Sequence, residues 1–557
     1  MIENLIRKLI LELTPETSGA SFLVENPDDA THGDYATNVA MVLGKKLGRK
    51  PIELAEELKG KLATKLPPEI ARVEVVTPGF INFFLTPAFF NTELSKLFTQ
   101  GERVGQGGSE AGKKVMVEYT DPNPFKEFHI GHLMSNTIGE AISRLIASQG
   151  AEVKHACYQG DVGMHVAKAI WGSLKQPTTD AAIWGKAYAL GSQAYETDEL
   201  AKKEINEINK KIYDRSDEGV NKIYDAGRQV SLDYFESIYK RLGTKFDYYF
   251  FESESGPIGQ KLVQENLGKV FEVSDGATIF AGEKYDLHTR VFLNSEGLPT
   301  YEAKELGLAK LKGEKYLCDR SIVITGNEVA GYFAVLKKVL ELIMPELAEK
   351  MRHLPHGMLR LATGKMSSRT GNVITAENLL EEVKTTLAEK MKEREFGDAE
   401  REQVAEAVAV GAIKYSILKT SPGRDIIFDL GKSLSYEGDS GPYLQYAYVR
   451  ATAVLKKGEA EGVKASFGHA PEEVSELAHR LTRFPSIVSR AATLSSPNLL
   501  VTYLTELAAS WNGYYAVEKI VDSTDPLSPY RLALATLFAK TMRVGLTLLG
   551  LPIVERM

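Results

Sequence analysis

Apolar residues recur with helical spacing from the start of the chain: Ile2, Leu5, Ile6, Leu9, Ile10 and Leu13 share one face with charges between them, which predicts an amphipathic helix. Gly79 to Leu85 reads as a strand, and GERVGQGGSEAGKK at 101–114 reads as a linker by composition. From 115 to about 375 strand-like and helix-like segments alternate, as a parallel α/β sheet with ligands at its carboxyl ends requires. Val115 and Val117 carry a buried strand there, and Pro122 and Pro124 force the next segment into a loop. Helical periodicity then starts at His129, with Ile130, Leu133, Thr137, Ile138, Ala141, Ile142, Leu145 and Ile146 on one stripe and Gly150 placed to end it. Residues 165–245 are mostly helical and highly charged, an insertion between the halves of the sheet. Their apolar positions do not keep a heptad long enough for a coiled coil. Beyond 376 helical periodicity dominates, interrupted by a hydrophilic link at 457–470. The expected fold class is multidomain α/β, divided as 1–110, 111–375, 376–430 and 431–557.

Composition narrows the function classes. At 557 residues, 43% hydrophobic and 25% charged, the chain has ample core material for several domains. A net charge of -7 argues against indiscriminate coating of nucleic acid, though local basic surfaces remain possible. Two cysteines, Cys157 and Cys318, give no disulfide framework and cannot form a four-cysteine zinc site. The opening helix lacks a signal peptide's continuous apolar region, and no apolar run approaches the ~18 residues of a membrane span. A cytoplasmic protein without a membrane partner is expected.

The most informative stretch lies between the strand at Val115 and the helix after it, around His129, Ile130, Gly131 and His132. The first turn of a helix following a parallel strand exposes free N–H groups and partial positive charge, which suits a phosphate chain. Two imidazoles there can donate to phosphate oxygens, and Gly131, without a Cβ, lets a flat base approach the backbone. For a bare H-x-x-H, two surface histidines are the commoner explanation, and the spacing is not that of a zinc protease. A second motif shifts the balance: Gly364, Lys365, Met366, Ser367, Ser368, Arg369, Thr370, Gly371 and Asn372 form a glycine-bounded cationic loop. Lys365 and Arg369 could close over a pyrophosphate as charge develops.

Taken in this order, the two motifs resemble the HIGH and KMSKS signatures of class I aminoacyl-tRNA synthetases. Glu118, Asn123 and Lys126 before the first motif, Gly160 and Asp161 after the next strand, GPYLQYAYVR at 441–450 and the closing LLGLPIVERM resemble the arginyl-tRNA synthetases in particular. The resemblance covers almost the whole chain. It implies a Rossmann-like parallel-sheet catalytic domain with a helical insertion, a small α+β N-terminal domain that contacts the tRNA elbow, and an all-α anticodon-binding domain at the C-terminus. It also implies the substrates ATP with Mg²⁺, L-arginine and tRNA(Arg), with no protein-bound metal and a monomeric chain. The implied activity is arginine–tRNA ligation through an adenylate.

The resemblance also distributes roles. His129, His132, Lys126 and Lys365 would act on the phosphates, and Gly131, Met366, Ser367, Ser368 and Arg369 would complete the ATP site. Ser368 stands where the family's loop usually has a lysine, so Lys126 is the candidate to supply that charge. Glu118, Asn123, Tyr301, Glu305 and Glu328 would hold arginine, since a guanidinium is best read by carboxylates in planar geometry. Two positions depart from the pattern: Glu305 replaces an aspartate, and Val329 stands where a glutamine is usual, with Glu328 as its candidate substitute. One missing contact to a charged group costs on the order of 1.5–3 kcal/mol, enough to weaken recognition without abolishing it. Phe80 and Asn82 near the N-terminus, and Tyr443, Tyr446, Tyr515 and Met557 near the C-terminus, are the tRNA candidates. Core packing is the competing role for the phenylalanines and tyrosines. Two other functions stay open, a class I synthetase for another amino acid and a non-catalytic tRNA-binding paralogue.

Overall fold

The computed structural model describes residues 2–14, 19–27, 30–176, 181–362, 375–392 and 396–557. They divide into two compact units. The first comprises Met1–Gly101, Val454–Arg483 and Tyr514–Phe538; the second comprises Glu102–Ala453, Phe484–Gly513 and Ala539–Met557.

In the first unit, strands β1 (Val24–Glu25), β2 (Tyr35–Thr37), β3 (Ile70–Val76) and β4 (Phe80–Leu85) form an antiparallel sheet in the order β1-β2-β4-β3. Helices α1 (Ile2–Leu13), α2 (Val39–Leu47), α3 (Pro51–Ala63) and α4 (Pro87–Gln100) belong to the same unit. The face expected of α1 is the buried one, with Ile2, Ile6, Leu9 and Ile10 in a core shared with Leu43, Leu58, Ile81 and Phe83. Between β1 and β2, Asp34 ties the His32–Tyr35 segment to β4 by accepting from the Leu85 amide at 2.8 Å.

The second unit is built on a five-stranded parallel sheet of β5 (Lys114–Glu118), β6 (Glu152–Gln159), β7 (Tyr248–Phe251), β11 (Arg320–Gly326) and β12 (Met351–His356), in the order β12-β11-β5-β6-β7. A small antiparallel sheet, β8 (Glu272–Ser274), β9 (Ala277–Phe280) and β10 (Arg290–Leu293), lies between β7 and β11 in sequence. A parallel pair, β13 (Leu359–Leu361) with β14 (Ile426–Phe428), follows. The first strand of the large sheet, β5, has β6 on one side and β11 on the other. Chain progression reverses there, which opens the crevice where ligands of such sheets bind.

Helix α5 (Ile130–Ser148) follows β5. Its apolar stripe is present, but the amphipathic reading is incomplete: Asn136, Glu140 and Ser143 are buried too. The helix has covered surface on every side, and its two larger buried polar side chains pair internally: Asn136 bonds Thr120 and Thr244, and Glu140 bonds Arg144 and Tyr119.

The crossover from β6 to β7 is the helical insertion, α6 (Met164–Lys175), α7 (Ala181–Thr197), α8 (Glu199–Asp214) and α9 (Glu218–Leu242). Its charged sequence contains two clear starts: Asp198 accepts from the Leu200 and Ala201 amides, and Asp217 from those of Gly219 and Val220. Val166, Ile170, Trp184, Ile205, Ile212 and Tyr224 give the insertion its own core. Helices α10 (Glu252–Glu265), α11 (Tyr301–Lys315), α12 (Ala330–Ile343) and α13 (Pro345–Lys350) complete the sheet's crossovers. Then come α14 (Ala376–Lys390), α15 (Asp398–Leu418), α16 (Leu430–Ser433), α17 (Gly441–Ala460), α18 (Glu476–Thr493), α19 (Pro497–Val517) and α20 (Ser528–Leu548), the helical region expected from the periodicity.

Candidate active site

The loop between β5 and α5 is shaped by backbone strain. Thr120, Asp121 and Phe125 all have positive φ, at 84°, 47° and 68°, a region costly for residues with a Cβ. Ser135 on α5 holds the loop by accepting from the Thr120 amide at 3.0 Å and donating to the Ile324 carbonyl of β11 at 2.9 Å.

His129 is the N-cap of α5. Its Nδ1 accepts from the Gly131 amide at 3.1 Å, and Nδ1 of His132 accepts from the His129 amide at 3.2 Å. Both Nδ1 atoms are used as acceptors, so both Nε2 atoms carry the proton and are left as donors. The rings stack with centroids 3.5 Å apart. Burial, followed by the charge of Lys126, lowers the pKa of His129; burial, His129 and Lys126 lower that of His132 well below the usual value. Two neutral N–H donors at a helix N-terminus are therefore what the tetrad offers.

These donors face a cleft of about 460 Å³ whose lining includes Glu118, Asn123, His129, Gly131, His132, Tyr301, Glu305 and Glu328. Eight of the sequence candidates thus share one cavity. Tyr301, 59% exposed at the start of α11, stands at its rim, and Glu328 sits in a short turn after β11. Val329 lines the wall at the position where a glutamine is usual in the resembled pattern. Asn123 packs so closely on Gly160 that a Cβ there would lie 2.3 Å from its Oδ1.

The far end of the cleft is acidic. Glu118, 1% exposed, accepts from the Lys312 ammonium at 2.8 Å. Asp121 accepts from the Tyr158 amide at 2.7 Å, and burial together with Glu118 raises its pKa well above the ordinary value. Burial and Glu118 likewise push the Glu305 carboxyl up to about 8. Among the described residues, three carboxylates here face one ammonium, an imbalance that a bound cation would relieve.

Sequence reasoning missed Asp121 and Lys312. Lys312 follows Glu305 by seven residues, two turns along α11, and that spacing could have placed both on one face. Glu252 was missed as well; it is buried and holds Lys304 at 2.6 Å beside the cleft. Asp161 instead closes a buried network, accepting from Ser253, Tyr224 and Arg228. The Lys126 ammonium lies 4.8 Å from the centre of the Tyr188 ring and lines a neighbouring cavity rather than the main cleft. Its charge still acts on both histidines.

Lys365, Met366, Ser367, Ser368 and Arg369 lie outside the described residues. Their flanks are fixed. The Ala362 amide donates to Phe428, Thr375 bridges to His129, and the Ala376 amide donates to Phe128 at 2.9 Å. Thr375 and Ala376, the first described residues after that motif, therefore lie beside the first motif.

Known proteins match this arrangement over the full chain. A family described as tRNA synthetases class I (R), catalytic domain, matches residues 93–430, with an arginyl tRNA synthetase N terminal domain over 1–85 and a DALR anticodon binding domain over 444–557. The chain belongs to the arginyl-tRNA synthetase family. Curated relatives called arginine–tRNA ligase include one from Clostridium beijerinckii, 29% identical over 100% of this chain and 99% of its own, and one from Clostridium perfringens, 30% identical over 96% of each. The solved arginyl-tRNA synthetase of Thermus thermophilus superposes with a TM-score of 0.81 at 26% identity, covering 100% of both chains. That of Plasmodium falciparum, at 20% identity and a TM-score of 0.80 over 100% of this chain and 99% of its own, shares the fold.

The residues expected to meet tRNA have mixed surroundings. Asn82 is 2% exposed in the middle of β4, whereas Phe80 at the strand's start is half-buried. Tyr443 is buried, its hydroxyl accepting from Asn512 at 3.1 Å, and Tyr446 is 36% exposed. Tyr515 and Met557 are half-buried. For Asn82 and Tyr443, contact with RNA would first require uncovering the side chain.

Proposed function

We propose that this chain activates L-arginine with ATP and transfers the arginyl group to tRNA(Arg), releasing pyrophosphate and then AMP. The observation that carries this reading is one cleft holding two neutral imidazole donors at a helix start and, at its other end, carboxylates in excess of ammonium. ATP enters as its magnesium complex, the metal arriving with the phosphates. The arginine carboxylate attacks the α-phosphorus, and the bond to the β-phosphate breaks. A terminal ribose hydroxyl of the tRNA then attacks the arginyl carbonyl, and AMP leaves. Neither step uses a protein nucleophile, so positioning and charge stabilisation do the catalytic work.

In this reading Nε2 of His129 and of His132 donate to the α-phosphate, the Gly131 backbone takes the adenine edge, and Lys365 and Arg369 close on the pyrophosphate. Glu305, Asp121 and Glu118 surround the guanidinium end, with Lys312 preventing excess repulsion while the site is empty. A division at 110, 375 and 430, a monomeric state and a cytoplasmic location complete the proposal; the three family matches fall on 1–85, 93–430 and 444–557, and among the described residues no helix is long and apolar enough to cross a membrane.

Pyrophosphate exchange with each amino acid, with and without tRNA, tests the reading. Arginine should drive exchange, and His132→Ala should reduce it about 10²–10³-fold, the usual consequence of deleting one positioned transition-state donor. Exchange driven by another amino acid refutes the arginine assignment; tRNA binding with no exchange at all favours a non-catalytic paralogue.

A further inference from the structure

Two basic side chains meet two helix ends behind the active-site helix α5. Lys414 on α15 is 1% exposed and forms no ion pair among the described residues; its Nζ donates to the carbonyls of Leu242 at 2.6 Å and Gly550 at 2.9 Å. Arg144 on α5 donates to the carbonyls of Gly243 at 3.0 Å and Thr547 at 2.8 Å. Leu242 and Gly243 end α9, while Thr547 and Gly550 lie at the end of α20 and just beyond it. Each basic group therefore bridges the same pair of helix C-termini, where unpaired carbonyls and the negative end of the helix dipole favour it. Such a lysine is costly to bury: burial, followed by the charge of Arg144, pushes its pKa down to about 7. An apolar side chain of similar length would pack there without that penalty.

Two hydrogen-bonded branches run from these helix ends to the acidic end of the cleft. In one, Thr244, the residue after Gly243, donates to Asn136 Oδ1 at 3.0 Å, and Asn136 donates to Thr120 Oγ1 at 3.0 Å. In the other, Arg144 donates to Glu140 at 2.7 Å, and Glu140 accepts from the Tyr119 hydroxyl at 2.7 Å. The branches meet at Tyr119 and Thr120, immediately before Asp121. Thr120 and Asp121 both hold positive φ, a conformation that persists only where its surroundings over-determine it. We propose that Lys414 and Arg144 are positioning residues for the amino-acid end of the active site: by clamping the ends of α9 and α20 onto α5 they fix Tyr119 and Thr120, and thereby aim Asp121 at the substrate's guanidinium. Neither side chain touches substrate. The inference rests on the reading that the acidic end of the cleft takes arginine. It makes Thr547, 403 positions from Arg144 in sequence, part of what shapes the arginine loop.

Pyrophosphate exchange by the full-length protein, with tRNA present, supplies the test. Lys414→Met should raise KM for arginine about tenfold and keep KM for ATP within about twofold. Thr244→Val, which breaks one branch while leaving Lys414 in place, should raise KM for arginine about fivefold, and Thr244→Ser, which keeps the hydroxyl, should restore it. The two losses act through one loop, so the double variant Lys414→Met, Thr244→Val should resemble Lys414→Met alone. If Lys414→Met does not fold, the Thr244 pair still decides. Gly550→Ala, whose Cβ would lie 3.2 Å from Lys414 Nζ, should likewise raise KM for arginine more than KM for ATP. Equal changes in both KM values, no rescue by serine, or additive effects in the double variant would overturn the proposal. Amide hydrogen exchange of the Tyr119–Phe125 segment, about tenfold faster in Thr244→Val than in wild type, reads the positioning without any substrate; unchanged exchange would also overturn it. Failure of the arginine reading appears separately, as exchange driven by another amino acid or by none.

Discussion

Replacing Glu305 by glutamine isolates the charge imbalance at the end of the cleft. In the empty site its carboxyl is raised to about 8 by burial and by Glu118, so at pH 7 most molecules hold it protonated. A guanidinium reverses that preference and must displace the proton. Arginine binding therefore strengthens as pH rises toward 8, and from pH 7 to 8.5 the free-site protonation penalty shrinks about eightfold. In Glu305→Gln the penalty vanishes together with the charge-assisted contact, worth about 1.5–3 kcal/mol, so KM for arginine should rise roughly 10- to 150-fold at pH 8. Its fall between pH 7 and 8.5 should flatten. The ligand-free protein should show the complementary linkage: a raised carboxyl stabilises below its unfolded pKa and loses that contribution as pH rises through about 8, a slope absent from the variant. Steady-state charging at several pH values, with KM for ATP as internal control, measures the first effect, and thermal melting measures the second. A variant whose arginine KM stays within about twofold of the wild type, or keeps its pH slope, refutes the role assigned to Glu305.

Other perturbations separate neighbouring roles. Lys312→Met strips the buried Glu118 of its partner at 2.8 Å and should cost about 3–5 kcal/mol of stability, read by urea unfolding; a loss under 1 kcal/mol would mean the pair is effectively solvated. Gly160→Ala places a Cβ 2.3 Å from Asn123 Oδ1, so KM for arginine should rise severalfold with little change in KM for ATP; equal changes in both would move Asn123 out of the amino-acid site. Tyr446→Ala should raise KM for tRNA and leave pyrophosphate exchange intact under saturating tRNA, whereas loss of thermal stability alone would mark Tyr446 as packing.

Parts of this site were legible in the chain because they are local. Pro122, Pro124 and the periodicity from His129 compel strand, loop and helix, and the helix start carries its donors with it. The capping pattern of the two imidazoles follows from a spacing of three residues. The acidic end was less legible, since Lys312 meets Glu118 across 194 positions and Asp121 bends inward only through a positive φ. The reading of α5 as one-sided failed for the same reason: covering of its second face depends on elements far away in sequence.

Family, order of elements and the first motif's loop were thus determined by sequence alone, because periodicity, proline and glycine placement and short motif spacings act over a few residues. Tertiary structure decided the rest. It brought eight candidate residues into one cleft, turned Lys126 toward the next cavity, and buried Asn82 and Tyr443. Burial and charge are sums over neighbours drawn from the whole chain, and no local pattern contains those sums.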